Sequence, residues 1–543
     1  MISAEQWKPA DNLILEPNAL KAAKEESRCL ALTAGPGAGK TEMLAQRADF
    51  LLQTGSCPYP KRILAISFKV DASKNLKERV QKRCGFDLSS RFDSYTFHGF
   101  AKRIIDRFRP VLIGEDELNV NYTIGDLRVS KTQITFADLI PFAVQIIEQS
   151  KLARNAVRST YSHVFLDEFQ DCTEYQYKLI RTIFKGTSLS LTAVGDTKQK
   201  IMGWAGAMEG IFEIFVKDFE AIPLNLYRNF RSKPNLLRMQ NKIIQEIDPG
   251  SVMSEDLIVG DEGEINIQSF DNSYSEAEFL ANLIQKQIGE NIPLHEIAVL
   301  VSKQVDLYAK TLMDALTKRN IPYRNEQSLQ DITTEPLARI IVDYLSCLYG
   351  KREPKAWERL NKQLIPFDDE EESANREDFY DFIKTQKKDL IAEVDTSKYS
   401  TKVSDFLKYI GKDILVAISS DYESETRRNE ILQETKSRID ELLIIEPDLT
   451  KALLRFSDDL AIRILTIHKS KGLEFHSVII MAIENEIFFG KLDEERCAFF
   501  VGVSRAKNRL LLTCADYRKR PEGYTNRWDE DRTVHEEFMR YVT

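Results

Sequence analysis

One stretch of the 543-residue chain has the residue types that bind phosphate. It reads Ala34-Gly35-Pro36-Gly37-Ala38-Gly39-Lys40-Thr41. Glycines let backbone N–H groups close around phosphate oxygens at the positive end of a following helix. Lys40 is expected to bridge the β- and γ-phosphates of ATP, and Thr41 to ligate Mg²⁺. The strict pattern has glycine in place of Ala34, so a glycine-rich turn without a ligand is the alternative.

Two adjacent carboxylates form the second candidate. Asp167 and Glu168 follow the apolar run Val164-Phe165-Leu166, which is typical of a buried strand. Asp167 is expected to hold the hydration shell of Mg²⁺, while Glu168 orients and deprotonates the attacking water. An Asp-Glu pair alone is common on surfaces. Downstream of a phosphate-binding loop, it predicts hydrolysis of a nucleoside triphosphate.

Apolar runs that alternate with helical patterns must position these residues. Such runs are typical of parallel strands buried on both faces, with helices between them. They predict an α/β fold with two parallel-sheet domains, and residues 345–460, rich in charge and helical periodicity, predict a helical insertion. The runs cover residues 29–34, 63–68, 163–168, 189–194, 296–302, 462–467, 477–482 and 509–514.

Charge and composition limit the class of protein. Hydrophobic residues make up 43% and charged residues 29%, the balance of a folded chain. The net charge of −9 means that any nucleic-acid site must be a local basic track. One such track is residues 61–83, with eight Lys or Arg against two acids.

Cysteine spacing and hydropathy bear on the compartment. The seven cysteines include no CxxC pair, so we expect neither a zinc site nor a disulfide framework. No apolar stretch approaches about 18 residues, and the first residues lack the apolar core of a signal peptide. These patterns predict a cytoplasmic protein without a membrane span.

Further motifs follow in a fixed order. On these motifs the chain resembles the superfamily 1A DNA helicases of the UvrD/Rep family, over nearly its whole length. The corresponding segments are Ser67-Phe68 (motif Ia), Thr96-Phe97-His98-Gly99 (Ib), Asp167–Asp171 (II), Val194–Gln199 with Gly203-Trp204 (III), Asn229–Ser232 (IV), Thr466–Phe475 (V) and Val501–Ala506 (VI).

The resemblance implies a role for each matching residue. Gln199 resembles a γ-phosphate sensor that links hydrolysis to DNA, and Arg231 and Arg505 resemble two arginines that reach the γ-phosphate from the second domain. Glu474 resembles a residue near the ribose. The family also has alanine at the position of Ala34. The residues expected to contact DNA are Ser67, Phe68, Thr96, His98, Trp204 and His468.

The resemblance also implies a domain plan of two RecA-like domains with two insertions. Domain 1A is expected to comprise residues 1–98 and 160–228, and domain 2A residues 229–335 and 461–543. Residues 99–159 form a reduced insertion 1B, and residues 336–460 a helical insertion 2B. Only 38 residues follow Arg505, too few for the nuclease domain of some larger relatives.

Departures from the family pattern leave two functions open. Motif III has Met202 and Ala205 where the family has a tyrosine and an arginine that contact single-stranded DNA, while Trp204 remains as a base-stacking candidate. The leading interpretation is an ATP-dependent helicase or translocase that moves 3′ to 5′ on single-stranded DNA and unwinds forked duplex. The alternative is a DNA-stimulated ATPase that acts as a sensor or regulatory subunit with little unwinding.

The biological setting is open as well. The segment 34–48 looks similar to helicase subunits of bacterial anti-phage systems such as Gabija, in which the helicase works with a separate nuclease. That resemblance implies antiviral defence and a nuclease subunit as a partner. Repair and plasmid maintenance are equally compatible with the residues.

Overall fold

The computed structural model describes residues 2–542 except 69, 126, 200–206, 327–331, 333–334, 352, 365–371, 393–398, 419–421, 423–424 and 457–460. The chain divides into two compact units. The α/β unit comprises Met1–Val120, Ala137–Gln327 and Ile462–Thr543. The helical unit comprises Asn121–Phe136 and Ser328–Ala461.

The strands within the described residues are numbered in chain order. They are β1 (Leu30–Ala34), β2 (Arg62–Ser67), β3 (Phe92–Thr96), β4 (Leu118–Gly125), β5 (Lys131–Thr135), β6 (Tyr161–Leu166), β7 (Ser190–Gly195), β8 (Ile222–Leu226), β9 (Glu264–Phe270), β10 (Ile297–Val301), β11 (Tyr323–Asn325), β12 (Ile462–Thr466), β13 (Phe475–Ile480) and β14 (Ala506–Ala515).

Most of these strands form two parallel six-stranded sheets in the α/β unit. The first has the order β3-β2-β6-β7-β1-β8 and the second the order β11-β12-β10-β13-β14-β9. Central strands are buried on both faces, as in β10, all of whose five residues are buried. β4 and β5 form a separate two-stranded sheet.

The helices are likewise numbered in chain order. Those of the α/β unit are α1 (Pro17–Lys24), α2 (Lys40–Thr54), α3 (Val70–Ser89), α4 (Phe97–Phe108), α5 (Leu139–Gln149), α6 (Lys151–Thr160), α7 (Glu174–Phe184), α8 (Ile211–Phe219), α9 (Pro234–Ile247), α10 (Ser273–Gly289), α11 (Val305–Tyr308), α12 (Lys310–Lys318), α19 (Leu492–Val503) and α20 (Glu536–Arg540). Those of the helical unit are α13 (Pro336–Tyr349), α14 (Pro354–Leu364), α15 (Glu372–Ala392), α16 (Tyr399–Ile418), α17 (Glu425–Ile445) and α18 (Leu449–Phe456).

The helical unit has a core of its own. The rings of Tyr344 on α13 and Phe406 on α16 stack with centroids 4.1 Å apart. Trp357 on α14 stacks on Phe379 of α15 at 5.4 Å. These contacts join four helices around one apolar centre, and such a centre stabilises a bundle through buried aromatic area.

The predicted fold class of two parallel-sheet α/β domains is confirmed. All eight apolar runs contain strands, but β3, β4, β5, β8, β9 and β11 were not predicted. β3, β8 and β9 are short or half-exposed strands near sheet edges, and β8 contains Pro223, which is tolerated there because an edge strand needs fewer backbone donors. The domain bounds stay predictions. Among the described residues, no helix is long and apolar enough to cross a membrane.

Candidate active site at the ends of the parallel strands

The glycine-rich loop joins β1 to α2. β1 ends at Ala34 and α2 begins at Lys40, so the loop opens a helix whose first N–H groups have no partner within the helix. Gly37 and Gly39 have φ values of 70° and 75°, a left-handed backbone that favours glycine. The Lys40 ammonium donates to the carbonyl of Ala34 at 3.2 Å. This geometry is that of a cradle for phosphate oxygens.

The segment after β8 lies directly on this loop. The backbone N–H of Phe230 donates to the carbonyl of Gly37 at 2.9 Å. A Cβ at position 37 would contact the Asn229 side chain and lie 2.6 Å from Cβ of Arg231. Gly37 is therefore required by the close approach as well as by its φ.

The two carboxylates lie where β6 ends. Asp167 is 5% exposed, and its Oδ1 accepts the backbone N–H of Glu168 at 3.0 Å. Glu168 has φ 51° and ψ 41°, a conformation uncommon for a residue with a side chain. Backbone strain of this kind is found where the surrounding structure holds a functional residue in place. Gln170 supports Glu168 by donating its amide N–H to Oε2.

The two carboxyl groups have different acidities. Burial raises the pKa of Asp167 to about 7, and the adjacent charge of Glu168 adds to this. Burial would also raise the pKa of Glu168, but the ammonium groups of Lys40 and Lys471 and the hydrogen bond from Gln170 hold it below its ordinary value. Glu168 is therefore ionised at neutral pH, as a group that accepts a proton from water must be.

A chain of hydrogen bonds runs from β7 into the second sheet's domain. Asp196 accepts the Nε2 amide of Gln199 at 2.8 Å. Oε1 of Gln199 accepts a guanidinium N–H of Arg505 at 3.0 Å. Gln170 joins the chain because its Oε1 accepts the backbone N–H of Asp196 at 2.9 Å. The end of β7 is thereby linked to α19 and β14, which flank Arg505.

The two candidate arginines lie side by side. Arg505 is 1% exposed and donates to the carbonyls of Val501 and Leu473 at 2.8 and 3.1 Å. Burial, with the charge of Arg231, lowers the pKa of Arg505 to about 9, so that it stays protonated at neutral pH. Arg231 pairs with Glu474 at 2.8 Å. Glu474, expected near a ribose, is thus the ion-pair partner of Arg231.

Lys471 forms another link between the two parallel-sheet domains, across the cleft that holds the candidate site. Its ammonium lies 2.5 Å from Oδ2 of Asp171 and 3.1 Å from the carbonyl of Gln199. Lys471 is 9% exposed. Asp171 and Lys471 lie within motifs II and V, but no role was predicted for either, because their separation of 300 residues in the sequence conceals the contact.

The residues present fit ATP and Mg²⁺. The loop offers backbone N–H groups and the Lys40 ammonium, which suit phosphate. The Thr41 hydroxyl and the Asp167 carboxylate are oxygen ligands, which Mg²⁺ prefers along with phosphate oxygens and water. Gly35 and Gly39 have no heavy atom within 4 Å of an added Cβ, which leaves space on the loop.

The residues predicted to contact DNA are found in different environments. Ser67 is fully buried at the end of β2, which lies between β3 and β6, and its contact with DNA stays a prediction. Phe68 is half-buried. Thr96 accepts the N–H of Gly99 at 3.0 Å and so begins α4 as its N-cap. Trp204 lies outside the described residues.

The two histidines of this set are neutral at neutral pH. Burial lowers the pKa of His98 to about 4. Burial, with the charges of Lys303 and Lys471, also lowers the pKa of His468. Both side chains are half-buried.

The basic track of residues 61–83 is partly internal. Arg83 and Arg79 pair with Glu42 of α2 at 2.8 and 3.1 Å. Arg62 pairs with Asp93 of β3 at 2.6 Å. These three cations brace helices and strands of the first domain, so the net positive charge left for phosphate is smaller than the sequence count indicates.

Comparison with known proteins places the chain in a family. It matches the UvrD-like helicase C-terminal domain family over residues 224–393 and 371–517, and the AAA domain family over residues 18–205. Because the first of these matches spans more than half of the chain, the protein belongs to the UvrD-like helicases.

Individual relatives share about a quarter of their residues with it. DNA helicase II of Escherichia coli (strain K12) is 25% identical over 602 residues, covering 90% of this chain and 83% of the relative. The ATP-dependent DNA helicase PcrA of Bacillus subtilis (strain 168) is 24% identical, covering 96% and 85%. DNA helicase II of Haemophilus influenzae is 26% identical over 440 residues, and the chain spans only 59% of that relative.

Proposed function

We propose that this protein is an ATP-dependent DNA helicase or translocase that moves 3′ to 5′ on single-stranded DNA and unwinds forked duplex. The observation that carries the proposal is the hydrogen bond between Arg505 and Gln199, which joins the phosphate-loop domain to the second α/β domain at the candidate ATP site. A contact of this kind makes closure of the cleft depend on what is bound there.

The chain's own residues supply the chemistry of hydrolysis. Backbone N–H groups of residues 35 and 37–41 and the Lys40 ammonium bind the phosphates. Thr41 and Asp167 would hold Mg²⁺, which would neutralise charge that develops on the phosphoryl group. Glu168 takes the proton of the attacking water on its carboxylate. Arg231 and Arg505 present guanidinium groups to the charge of the transition state.

Coupling to DNA runs through residues near both sheets. Gln199 follows β7, and the DNA candidate Trp204 follows it by five residues. His468 lies in the same short segment as Lys471, whose ammonium contacts the carbonyl of Gln199. Single-stranded DNA that binds these segments changes the position of Gln199. The hydrogen bond of Gln199 to Arg505 then changes as well. Alternating closure becomes stepping if the two domains grip the strand differently in the two states.

The test combines ATP hydrolysis with strand separation. We expect single-stranded DNA to raise the ATPase rate at least tenfold, and a duplex with a 3′ tail to be unwound in preference to one with a 5′ tail. Lys40→Ala is the control that lacks both activities. A wild-type protein whose ATPase ignores DNA would contradict the proposal, and so would one that unwinds only 5′-tailed duplexes.

A sensor or regulatory ATPase is the second candidate, favoured by Met202 and Ala205 in motif III and by the short insertions. With fewer aromatic and cationic side chains to contact single-stranded DNA, the protein binds the DNA strand less tightly than a motor that separates a duplex requires. Such a protein would hydrolyse ATP on single strands and leave the forked duplex intact. The unwinding assay therefore separates the two candidates.

A nuclease partner and a role in antiviral defence form a further part of the proposal, which rests on sequence resemblance alone. Co-purification of the tagged protein from its own host, followed by a DNA-cleavage assay of the complex, tests it. A nuclease that co-purifies supports the proposal, whereas protein that purifies alone and cleaves no DNA counts against it.

A further inference from the structure

A buried lysine lies inside the candidate site with no role assigned to it. Lys198 belongs to the short turn Thr197–Gln199 that follows β7, and it is 3% exposed. Its ammonium lies 3.0 Å from Oδ1 of Asp196. The side chain also lines a cavity beside Gly35 and Pro36 of the phosphate loop. Burying an ammonium is costly unless it is paired, so Lys198 depends on Asp196, and Asp196 on Lys198.

The Asp196 carboxylate has separate partners for its two oxygens. Oδ1 accepts both the backbone N–H and the ammonium of Lys198, at 3.1 and 3.0 Å. Oδ2 accepts Nε2 of Gln199 at 2.8 Å. An ionised carboxylate can only accept hydrogen bonds. Gln199 must therefore turn its NH₂ towards Asp196, and this leaves its carbonyl oxygen to face Arg505.

The charge of Lys198 keeps Asp196 in its ionised form. Burial would raise the pKa of Asp196, but the charges of Lys198 and then Lys40, with the hydrogen bond from Gln199, hold it below its ordinary value. A protonated Asp196 could donate to Gln199 and allow its amide to reverse. With the amide reversed, an N–H would face the guanidinium of Arg505, and two donors cannot bond to each other.

We infer that Lys198 is a positioning residue for ATP hydrolysis: it holds Asp196 so that Gln199 presents its carbonyl oxygen to Arg505. The inference rests on the proposed function, because it matters only if the link from Gln199 to Arg505 takes part in hydrolysis. In this role Lys198 need not contact the reacting atoms or DNA. It acts through Asp196 and Gln199.

The test is Lys198→Met in the full-length protein, which keeps the length of the side chain and removes the charge. We expect kcat of DNA-stimulated ATP hydrolysis to fall at least tenfold, with KM for ATP changed by less than about threefold. Lys185→Met is the matched control, since Lys185 also pairs with an aspartate of the first domain, Asp218, at 2.6 Å but is 41% exposed. It should keep normal kcat.

A second variant distinguishes a loss of stability in Lys198→Met from a loss of the positioning role. Asp196→Asn with Lys198→Met removes both buried charges and should recover any loss of melting temperature. The introduced asparagine amide can donate as well as accept hydrogen bonds, so Gln199 is no longer held in one orientation and kcat should stay at least tenfold low. If kcat returns together with the melting temperature, Lys198 has only a stabilising role and the inference fails.

The outcomes also separate this inference from the proposed function. A wild-type protein without DNA-stimulated ATPase would overturn the proposed function. A stimulated wild type with normal kcat in Lys198→Met would overturn only the role of Lys198.

Discussion

Arg505 donates a hydrogen bond of 3.0 Å to Oε1 of Gln199, although 306 residues separate them in the sequence. The two side chains belong to different parallel-sheet domains, and each is held by further contacts. Gln199 is held by Asp196 at 2.8 Å, and Arg505 by the carbonyl of Val501 at 2.8 Å. Because both ends are positioned in advance, formation or loss of this one bond can report the state of the cleft.

Loss of Arg505 should therefore abolish hydrolysis without abolishing ATP binding. We expect Arg505→Ala to lower DNA-stimulated kcat by roughly 10³-fold or more and to change ATP affinity by less than about tenfold, because an arginine of this kind acts mainly on transition-state charge. Arg231→Ala should behave alike, and the double variant should cost little more than either single one.

The control for these variants is Arg509→Ala. Arg509 lies on β14 of the same domain and pairs with Glu264 at 3.2 Å and with Glu290, neither of which is a predicted site residue. It should retain normal ATPase. Near-normal rates in both Arg505→Ala and Arg231→Ala, with the fold intact by circular dichroism, would show that the cleft does not work through these two residues.

Glu168→Gln should separate ATP binding from its hydrolysis. Glutamine keeps an oxygen that can accept the bond from Gln170, but it cannot take a proton from water. We expect ATP affinity within about tenfold of normal and a rate lowered by about 10²–10⁴-fold. Rapid-quench measurement of bound ATP checks this. Turnover above about a tenth of normal would mean that another group is the base.

Gly37→Ala should impair the function of the glycine-rich loop more than the strain of an alanine at positive φ alone would. The added Cβ would contact the Asn229 side chain and lie 2.6 Å from Cβ of Arg231, at a residue whose φ is 70°. We expect ATPase activity to fall at least tenfold. Gly523→Ala is the matched control, with φ 75° and no heavy atom within 4 Å, and should cost only about 1 kcal/mol of stability. Equal activities of the two variants would contradict the close approach.

His163 should make the protein less stable in mild acid. It is 3% exposed, and burial lowers its pKa from 6.5 to about 4. Below about pH 6.5 the imidazole is protonated in the unfolded chain, but in the folded protein it stays neutral down to about pH 4. The contribution of His163 to the free energy of unfolding is therefore fully present above pH 6.5 and is lost as the pH falls towards 4.

Protonation of His163 in the unfolded chain should lower the free energy of unfolding by ~2 kcal/mol between pH 7.5 and 5. The measurement is the free energy of unfolding of wild type and His163→Gln at both pH values, because the difference between them isolates this group. His163 is hydrogen-bonded to the carbonyl of Glu26 at 3.0 Å, a bond that the glutamine amide can replace. Parallel pH dependences of the two proteins would show that His163 titrates normally.

The amino-acid sequence by itself determined the α/β class, the glycine-rich loop before a helix and the carboxylates after a buried strand. These are local signals: an apolar run long enough to be buried on both faces, and glycines next to Lys40 and Thr41 at the start of a helix. It was less informative about the edge strands β3, β8 and β9, whose half-exposed residues lack a continuous apolar pattern.

Only the tertiary structure decided which charges meet. Lys471 pairs with Asp171 across 300 residues, and Arg83 of the basic track pairs with Glu42 rather than remaining free for phosphate. Lys198 is buried against Asp196, which no local pattern in the sequence indicates. The physical reason is that ion pairs and amide orientation depend on distances of about 3 Å between side chains, and no pattern along the chain specifies these distances until the two sheets have folded.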